Sequence, residues 1–505
     1  MAWRDAALLK LARVGVDGSV WAFVDDLISH RVCRARVNGQ LSCCWADATG
    51  VGQGAVLSPL LFNLVINGLA AAVRRVHGGV AVGLGADAPR VSTLLYADDL
   101  VILADTPEQL QRALDAAYQW ARQWRFTFGV RPTKSAVLCV HPPRRMPPPL
   151  RLGDDVIPYV TEYKYLGVRV HARLSWRRHA ELCVAAGERR MASAVTWASR
   201  EHLPVTFTSS LVNSFVLGAA SYGCEFLADA GSLRLLQTRW LRWGRRILGW
   251  PAGAPGAAVL GELGWLDFGD IALLRRARLF ARLSSVCSSS SRRQVSSALF
   301  EYALSQPRSW AATSAALLSE SGAPAAELWG IGPGAPHALQ GLWITSAVEP
   351  AARHTTLVRF HSACAGMESL HDYVQRQPVP ALDGRVYGAH VPADAARLWG
   401  LARCGHHPCG DGRPARHLRL PSGSMCALCG CAPCGLEHLL FTCTGTAELR
   451  SHWFAGSSMS LSLDTLFRFD YDGRRSSARH VARCVRFVAA AIWSLLRVRN
   501  QGAPQ

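Results

Sequence analysis

The sequence predicts an α+β fold in which an antiparallel sheet with helices comes first, and a mainly helical region and a small metal-binding finger follow. Short apolar runs on both sides of an acidic pair at residues 98–99 indicate a strand hairpin. Apolar residues recur at three- and four-residue spacings over 171–400, which is typical of amphipathic helices. Cysteines concentrate near 404–443, which indicates a small metal-binding module rather than a disulfide scaffold.

Composition limits the class of protein. The chain has 505 residues, of which 50% are hydrophobic and 18% charged, so it can bury about three domain cores. Its 55 basic and 36 acidic residues give a net charge of +19, which favours a polyanionic partner, nucleic acid above all. The sequence lacks a secretory signal and an eighteen-residue apolar run, so we expect neither secretion nor a membrane partner.

Four regions are predicted along the chain: a mixed region over 1–170, a helical region over 171–400, a Cys/His region over 401–450 and a helical tail over 451–505. Within them we expect a hairpin over Leu150–Val160 that turns at Gly153-Asp154. We also expect one helix that contains Trp240 and Trp243, and another over Val481–Val498.

Asp98 and Asp99 lie between the two apolar runs of Thr93–Leu103. In a continuous strand these neighbours would point to opposite faces, but on a hairpin turn they can converge on one ion. Carboxylates in an apolar setting need a cation, and Mg²⁺ is the hard cation that suits oxygen ligands. An isolated pair of this kind would simply be an exposed acidic turn.

A glycine-rich loop precedes the acidic pair. Gly50-Val-Gly-Gln-Gly54 allows the backbone to approach a ligand closely, and Gln53 supplies an amide for hydrogen bonding. We expect Ser58 to cap the following helix and Pro59 to lie in its first turn.

Together these residues resemble the palm of reverse transcriptases, most strongly those of non-long-terminal-repeat retrotransposons. The resemblance implies that Gly52, Gln53 and Gly54 shape the template and nucleotide pocket. It also implies that the Tyr96-Ala-Asp-Asp99 turn binds Mg²⁺ or Mn²⁺. The implied partners are an RNA template, a DNA primer and deoxynucleoside triphosphates.

Two later motifs extend the resemblance in family order. In Arg131-Pro-Thr-Lys-Ser135, Lys134 would lie near the triphosphate, and it is one of only three lysines. The following Tyr163–Gly167 segment resembles the primer-grip hairpin, with Tyr165, Leu166 and Gly167 at the primer. Arg131 replaces the usual Asn and Gly52 the usual Pro.

The implied mechanism is two-metal nucleotidyl transfer, with Asp98 as the main ligand and Asp99 beside it. The family takes a third carboxylate from an earlier strand that leads into a helix resembling Trp3–Lys10. We therefore expect the third aspartate and the fingers to lie upstream of Met1, through a wrongly assigned start or a decayed copy. Residues 1–170 would form a partial palm that is inactive alone, and 171–400 a thumb and connection.

Two other acidic pairs mimic the metal-binding turn. Phe23-Val-Asp-Asp26 precedes the glycine-rich loop within a helical apolar pattern, so we interpret its acids as an exposed helix face. Gly153-Asp-Asp155 follows the Lys134 motif, so we interpret it as a simple hairpin turn.

A second constellation is Cys426-x₂-Cys429-x₈-His438-x₄-Cys443, whose ligand types and spacing predict a structural Zn²⁺ site. It resembles the Cys-Cys-His-Cys finger that follows the polymerase in many retroelements. Cys431 and Cys434 form an alternative pair in the intervening loop. A further group comprises Cys404, His406, His407 and Cys409, which would form either another site or a polar loop with incidental thiols.

Arginines and tryptophans alternate over Arg239–Arg246. They could follow phosphates and stack on bases, or the tryptophans could face the core while the arginines are solvated.

Three functions remain open. The chain is a retroelement RNA-directed DNA polymerase, a non-catalytic RNA- or DNA-binding remnant of one, or a relic without activity. The resemblance alone implies a nuclear location.

Overall fold

The chain divides into two units, which we consider separately. The computed structural model describes residues 3–46, 50, 52, 54–83, 88–131, 134–227, 229–286, 295–323, 341–388, 390–409, 424–455, 461–469 and 478–501. The first unit comprises Met1–Arg178 and Val286–Pro307, and the second comprises His179–Ser285 and Arg308–Gln505. Because these boundaries do not test the four predicted regions, that division stays a prediction.

Helices and short hairpins alternate in the first unit. Its described helices are Arg4–Arg13, Gly18–Ser29, Ser58–Val76, Pro107–Gln123 and Val295–Ser305. Its described strands pair two by two: Val32–Cys33 with Trp45–Ala46, Arg36–Val37 with Gln40–Leu41, Val80–Ala81 with Arg90–Val91, Thr93–Tyr96 with Asp99–Ile102, Val137–Leu138 with Tyr159–Val160, Leu150–Leu152 with Asp155–Ile157, and Glu162–Tyr165 with Val168–His171. The Val137–Tyr159 pairing is parallel and the others are antiparallel.

The predicted hairpin after residue 150 is confirmed, but its second strand ends earlier than expected. Leu150 pairs with Ile157, and Gly153 has a φ of +64° at the turn, where glycine is favoured. Pro158 cannot donate to a ladder, so the chain leaves the hairpin there. Tyr159–Val160 pairs instead with Val137–Leu138.

A helical core supports the strands of the first unit. Val65, Leu69, Ala113, Ala117 and Trp120 are buried where the helices Ser58–Val76 and Pro107–Gln123 meet. Leu100 and Ile102 of the Asp99–Ile102 strand pack against the same cluster. The helices therefore fix the position of the hairpin that carries the acidic pair.

The helix after the glycine-rich loop begins one residue earlier than predicted. Leu57 is its N-cap and Ser58 its first helical residue, so the prediction that Ser58 caps the helix is wrong. Pro59 lies in the first turn as expected, where a missing backbone N–H costs nothing.

The helix Ser58–Val76 is long and apolar enough, by length and composition alone, to cross a membrane. Leu61, Val65, Leu69 and Val73 on one face lie in the core of the first unit. Helices in the cores of soluble proteins pass the same test, so the expectation of no membrane partner stays a prediction.

The second unit is mainly helical. Its described α-helices are Arg177–Arg200 (which begins at the boundary), Val205–Leu211, Leu217–Ala220, Ala230–Leu248, Gly256–Leu263, Phe268–Val286, Trp310–Glu320, Glu349–Ala365, His371–Arg376, Gly384–Tyr387, Ala393–Arg403, Ala447–Phe454, Leu463–Phe467 and Ala478–Gln501. Shorter π or 3₁₀ turns lie at Val212–Val216, Cys224–Phe226, Ile344–Val348, Glu368–Leu370, His438–Thr442 and Thr444–Thr446.

The helix Ala230–Leu248 shows how the second unit builds its core. Asp229 caps its start through the Ser232 N–H, and Gly249 ends it with a φ of +66°. Trp240 and Trp243 are both 1% exposed, and Trp240 stacks on Trp265 with ring centroids 3.8 Å apart. The tryptophans of this helix therefore serve the core and are not exposed to stack on bases.

The helix Ala478–Gln501 confirms and extends the predicted helix over Val481–Val498. One of its faces is completely buried through Val481, Val485, Val488, Ile492 and Leu495. That face packs on other elements of the second unit, among them the His438–Thr442 turn.

Candidate active site and cysteine–histidine cluster

The acidic pair lies at the tip of a two-stranded hairpin. Tyr96 pairs with Asp99 across the strands, so Ala97 and Asp98 form the turn. Ala97 has a φ of +51°, a left-handed conformation that is uncommon for a residue with a Cβ. Backbone strain of this kind occurs preferentially at functional sites.

Tyr96, Asp98 and Asp99 are all exposed. The expected desolvation cost of carboxylates in an apolar setting therefore does not arise at this turn. Two adjacent, accessible carboxylates suit a hard divalent cation. Within the described ranges, no third His, Cys, Asp or Glu joins them in a group able to share one ion.

A second hairpin lies close to the acidic turn. Burial raises the pKa of the Tyr163 and Tyr165 phenols, and the negative charge of Asp99 raises both pKa values further. Both tyrosines belong to the strand Glu162–Tyr165. The predicted primer-grip segment therefore lies within electrostatic range of Asp99.

Leu166 and Gly167 form the turn of this second hairpin. Their φ values are +46° and +84°, and Tyr165 pairs with Val168 across them. Two consecutive residues with positive φ are typical of the tight turns that match strand twist. The predicted hairpin is confirmed, while the contact of Tyr165, Leu166 and Gly167 with a primer stays a prediction.

Tyr163 connects this hairpin to the lysine motif. Its hydroxyl donates a 2.7 Å hydrogen bond to the backbone carbonyl of Lys134. The Lys134 side chain is exposed, and Ser135 donates to the Gly129 carbonyl at 2.7 Å, which folds the segment back on itself. Three motifs far apart in sequence therefore lie together.

Two arginines hold the glycine-rich loop. The buried Arg4 side chain donates a 2.9 Å hydrogen bond to the Gly50 carbonyl. A Cβ on Gly52 would lie 2.6 Å from Cζ of Arg31, so glycine lets that guanidinium lie against the backbone. Gly54 has a φ of +86°. Gln53 lies outside the described residues.

Comparison with known proteins identifies the family of the region that carries these motifs. Residues 3–170 match the family model for reverse transcriptase (RNA-dependent DNA polymerase). The chain contains a reverse transcriptase domain. The resemblance drawn from its sequence motifs is therefore confirmed.

Curated relatives of this chain come from mobile elements. The RNA-directed DNA polymerase from mobile element jockey of Drosophila melanogaster is 26% identical over 262 residues, 49% of this chain and 27% of the relative. The probable polymerase from transposon X-element of the same species is 27% identical over 260 residues. The matched region spans about a quarter of each of these relatives (27%).

A third relative has a higher sequence identity over a shorter region. The Pol polyprotein from type-1 retrotransposable element R2 of Nasonia vitripennis is 46% identical over 67 residues, 13% of this chain and 6% of the relative.

The predicted ligands of the second constellation come together near the end of the chain. The donor atoms of Cys426, Cys429, His438 and Cys443 all lie within 4.8 Å of one another. The sulfurs of Cys426 and Cys443 are 3.7 Å apart. Zn–S bonds of about 2.3 Å in a tetrahedron place two sulfurs about 3.8 Å apart, so the donor set fits zinc.

Local structure orients these donors. Gly430, with a φ of +67°, donates its N–H to the Cys426 carbonyl at 2.8 Å and closes the turn that holds Cys426 and Cys429. His438 directs Nε2 toward the Cys429 sulfur at 3.2 Å, while Nδ1 lies 3.0 Å from the Thr442 hydroxyl. Such a partner on the other ring nitrogen fixes the orientation of a ligating imidazole.

The thiols of Cys426 and Cys429, which share one turn, differ in pKa. The N–H of Cys431 lowers the pKa of Cys429 to about 6, with help from His438. Burial raises the pKa of Cys426 to about 12 when no cation is present. A dication between the donors would favour both thiolates, since metal ligation deprotonates thiols.

The alternative cysteines do not join this cluster. Cys431 is exposed and donates to the Cys429 carbonyl, while Cys434 is buried. Among described residues, only the four main ligands form a group that could hold a metal. Of the two alternatives for Cys404, His406, His407 and Cys409, the metal site therefore receives no support.

The two other acidic pairs are placed as predicted. Asp25 and Asp26 lie on the helix Gly18–Ser29, half-buried and exposed respectively. Asp154 and Asp155 are exposed at the 150–157 hairpin.

Sequence reasoning missed the roles of Arg4 and Arg31. The partner of Arg4 lies 46 residues away and that of Arg31 lies 21 residues away, and no motif indicates either contact.

Proposed function

We propose that the reverse transcriptase domain belongs to a retroelement polymerase that copies RNA into DNA at the Tyr96–Asp99 turn. The observation that carries this proposal is the proximity of three motifs. Asp99 influences the phenols of Tyr163 and Tyr165, and Tyr163 binds the Lys134 backbone. Metal-binding, primer-holding and triphosphate-binding groups are needed together in a polymerase.

In the proposed reaction, the 3′-hydroxyl of the primer attacks the α-phosphate of a deoxynucleoside triphosphate. A new phosphodiester bond forms, pyrophosphate leaves, and the hydroxyl proton passes to solvent or a base. Mg²⁺ or Mn²⁺ would supply Lewis-acid stabilisation of the attacking and leaving oxygens. Asp98 and Asp99 would hold these ions, with Asp98 as the main ligand.

The remaining residues would position the substrates. The exposed Lys134 ammonium would pair with the triphosphate, and the loop of Gly52, Gln53 and Gly54 would lie against the template and nucleotide. Tyr165, Leu166 and Gly167 would hold the primer end. Tyr96 would lie beside the metals at the edge of this pocket.

We further propose that this chain alone is inactive as a polymerase. Two-metal transfer needs carboxylates that clamp both ions, and no third carboxylate joins Asp98 and Asp99 in the described part of the chain. Addition of a segment that supplies this group would restore synthesis.

Primer extension on an RNA template with Mg²⁺ tests both statements. The 505-residue chain is compared with a chimera that carries, before residue 3, the part of the jockey polymerase that precedes its matched region. We expect extension from the chimera only. Asp98→Asn should abolish it, and the matched control Asp154→Asn, at the other exposed acidic turn, should not.

The outcomes separate the two statements. Extension by the 505-residue chain that Asp98→Asn abolishes would overturn inactivity but support the site. Extension insensitive to Asp98→Asn would overturn the site.

A second function is a non-catalytic nucleic-acid-binding remnant, which the net charge of +19 favours. Salt-sensitive RNA binding by the chain, with no extension from the chimera, would support that function instead. The zinc cluster would then serve as part of a binding scaffold.

A further inference from the structure

The exposed face of the helix Ala478–Gln501 carries a row of basic and aromatic side chains. Arg479, Arg483, Arg486, Trp493 and Arg497 are all exposed, and we refer to them as the Arg/Trp stripe. Their spacings of four, three, seven and four residues keep them on one side of a helix. With a rise of about 1.5 Å per residue, the stripe is about 27 Å long.

The stripe carries uncompensated positive charge. In the described part of the second unit, no carboxylate lies within 4.0 Å of these four guanidinium groups. Arg486 donates to the His390 carbonyl at 3.0 Å, which holds its side chain without neutralising it. Four cations in a row along one helix face attract a polyanion with regularly spaced charges.

Trp493 distinguishes the stripe from an ordinary solvated face. It is 44% exposed, whereas the phenyl ring of Phe487 in the same helix is fully buried. A tryptophan between arginines offers a surface on which an unpaired base can stack. In a duplex the bases already stack on one another, so this group would add little there.

The opposite face of the helix excludes a membrane surface as the partner of the stripe. Val481, Phe487, Val488 and Leu495 are fully buried in the second unit. A helix that lies in a membrane interface must insert its apolar face, which here is occupied by protein.

We propose that the Arg/Trp stripe binds single-stranded nucleic acid, with the arginines on phosphates and Trp493 stacked on a base. This site is distinct from the turn at Asp98 and needs neither nucleotides nor divalent ions. The packing of this helix on the His438–Thr442 turn joins the stripe to the cysteine–histidine cluster within one unit.

Fluorescence anisotropy of the full chain with a fluorescein-labelled, mixed-sequence 20-nucleotide RNA tests the phosphate contacts. Arg479→Gln/Arg483→Gln removes two charges that make no described hydrogen bond. Because each phosphate contact on a single strand contributes about 0.7 to the salt slope, we expect the slope to fall by about 1.4. Arg308→Gln/Arg353→Gln, exposed arginines elsewhere in the second unit, removes the same charge and should leave the slope near that of the parent.

A second pair of variants tests stacking. Trp493→Ala should weaken binding of the single strand about tenfold, and Trp493→Phe should retain most of the affinity. Affinity for a duplex of the same sequence should change less than twofold in both. Because Trp493 and the arginines are exposed, thermal midpoints should stay near that of the parent.

Three results would overturn the proposal. Equal decreases of the salt slope in the two double-arginine variants would show that only net charge matters. An unchanged affinity in Trp493→Ala would contradict the stacking contact. Binding to phosphatidylserine vesicles that depends on the stripe, without any effect on RNA, would assign the surface to a membrane. None of these results bears on polymerase activity, which is measured separately.

Discussion

The guanidinium of Arg403 donates a 3.1 Å hydrogen bond to Oε1 of Glu262, and both residues are almost completely buried. The Tyr387 hydroxyl donates to Oε2 of the same carboxylate at 2.8 Å, and Arg403 also donates to the Arg376 carbonyl at 2.7 Å. This pair lies among the helices of the second unit, where a charge without a partner would be costly.

Removal of one partner of this pair should destabilise the second unit. Glu262→Gln leaves a cation that cannot lose its proton, so we expect a loss of about 3–5 kcal/mol in the free energy of unfolding. Arg403→Met should cost less, because burial raises the pKa of Glu262 and the carboxyl can take up a proton. In urea denaturation, the double variant should lose less than the sum of the single variants. Strict additivity would contradict the coupling.

Asp270 should make the stability of the second unit depend on pH. Burial raises its pKa from 3.8 to about 6, against the opposing effects of the Thr356 hydroxyl and Arg359. The folded state therefore binds this proton more tightly than the unfolded state does. The stabilising contribution of the protonated Asp270 carboxyl to the free energy of unfolding is thus complete below pH 3.8 and is lost as pH rises through about 6.

The measurement is the difference in unfolding free energy between the parent and Asp270→Asn. Between pH 3 and 7 the parent should lose about 3 kcal/mol relative to the variant, at about 1.4 kcal/mol per pKa unit. A difference that is constant, or that grows in favour of the parent as pH rises, would show that Asp270 is not buried as a raised-pKa carboxyl.

Two helical glycines should respond oppositely to alanine. A Cβ at Gly187 would lie 2.8 Å from Cζ2 of Trp243 and 3.1 Å from the Ala220 Cβ, so Gly187→Ala should cost about 1–3 kcal/mol through overpacking. Gly218 is exposed in the helix Leu217–Ala220, with nothing within 4 Å of a new Cβ. Gly218→Ala should therefore gain about 0.5–1 kcal/mol. Thermal denaturation distinguishes the two, and equal shifts would refute the close approach of the helices.

Sequence reasoning predicted the features that depend on neighbouring residues. The hairpins at Asp98 and Asp154 follow from short apolar runs that flank a turn, and the helix around Trp240 follows from its spacing. The hairpin at Leu166 was expected from the resemblance to the primer-grip segment. Contacts between distant residues leave no such pattern. Glu262 and Arg403 lie 141 positions apart, and Tyr163 meets the Lys134 carbonyl across 29 positions. A backbone carbonyl as partner has no signature in the amino-acid sequence.

The cysteine–histidine cluster was predictable only in part from the sequence. Its spacing favoured the four ligands, but the nearby Cys431 and Cys434 remained an alternative pair. Cys443 is completely buried with its sulfur 3.7 Å from that of Cys426, whereas Cys431 is exposed outside the group. We therefore expect Cys443→Ser to reduce zinc content well below one ion per chain, and Cys431→Ser to retain about one ion.

Loss of zinc should also loosen the elements packed on the cluster. The His438–Thr442 turn contacts the helix Ala478–Gln501, and the buried Leu439 and Leu440 belong to that turn. Because a closed four-ligand site contributes its binding energy to folding, a strong chelator should lower the thermal midpoint of the parent and of Cys431→Ser alike. It should not change that of Cys443→Ser, which has already lost the ion. A chelator effect of equal size in all three proteins would place the stabilising metal elsewhere.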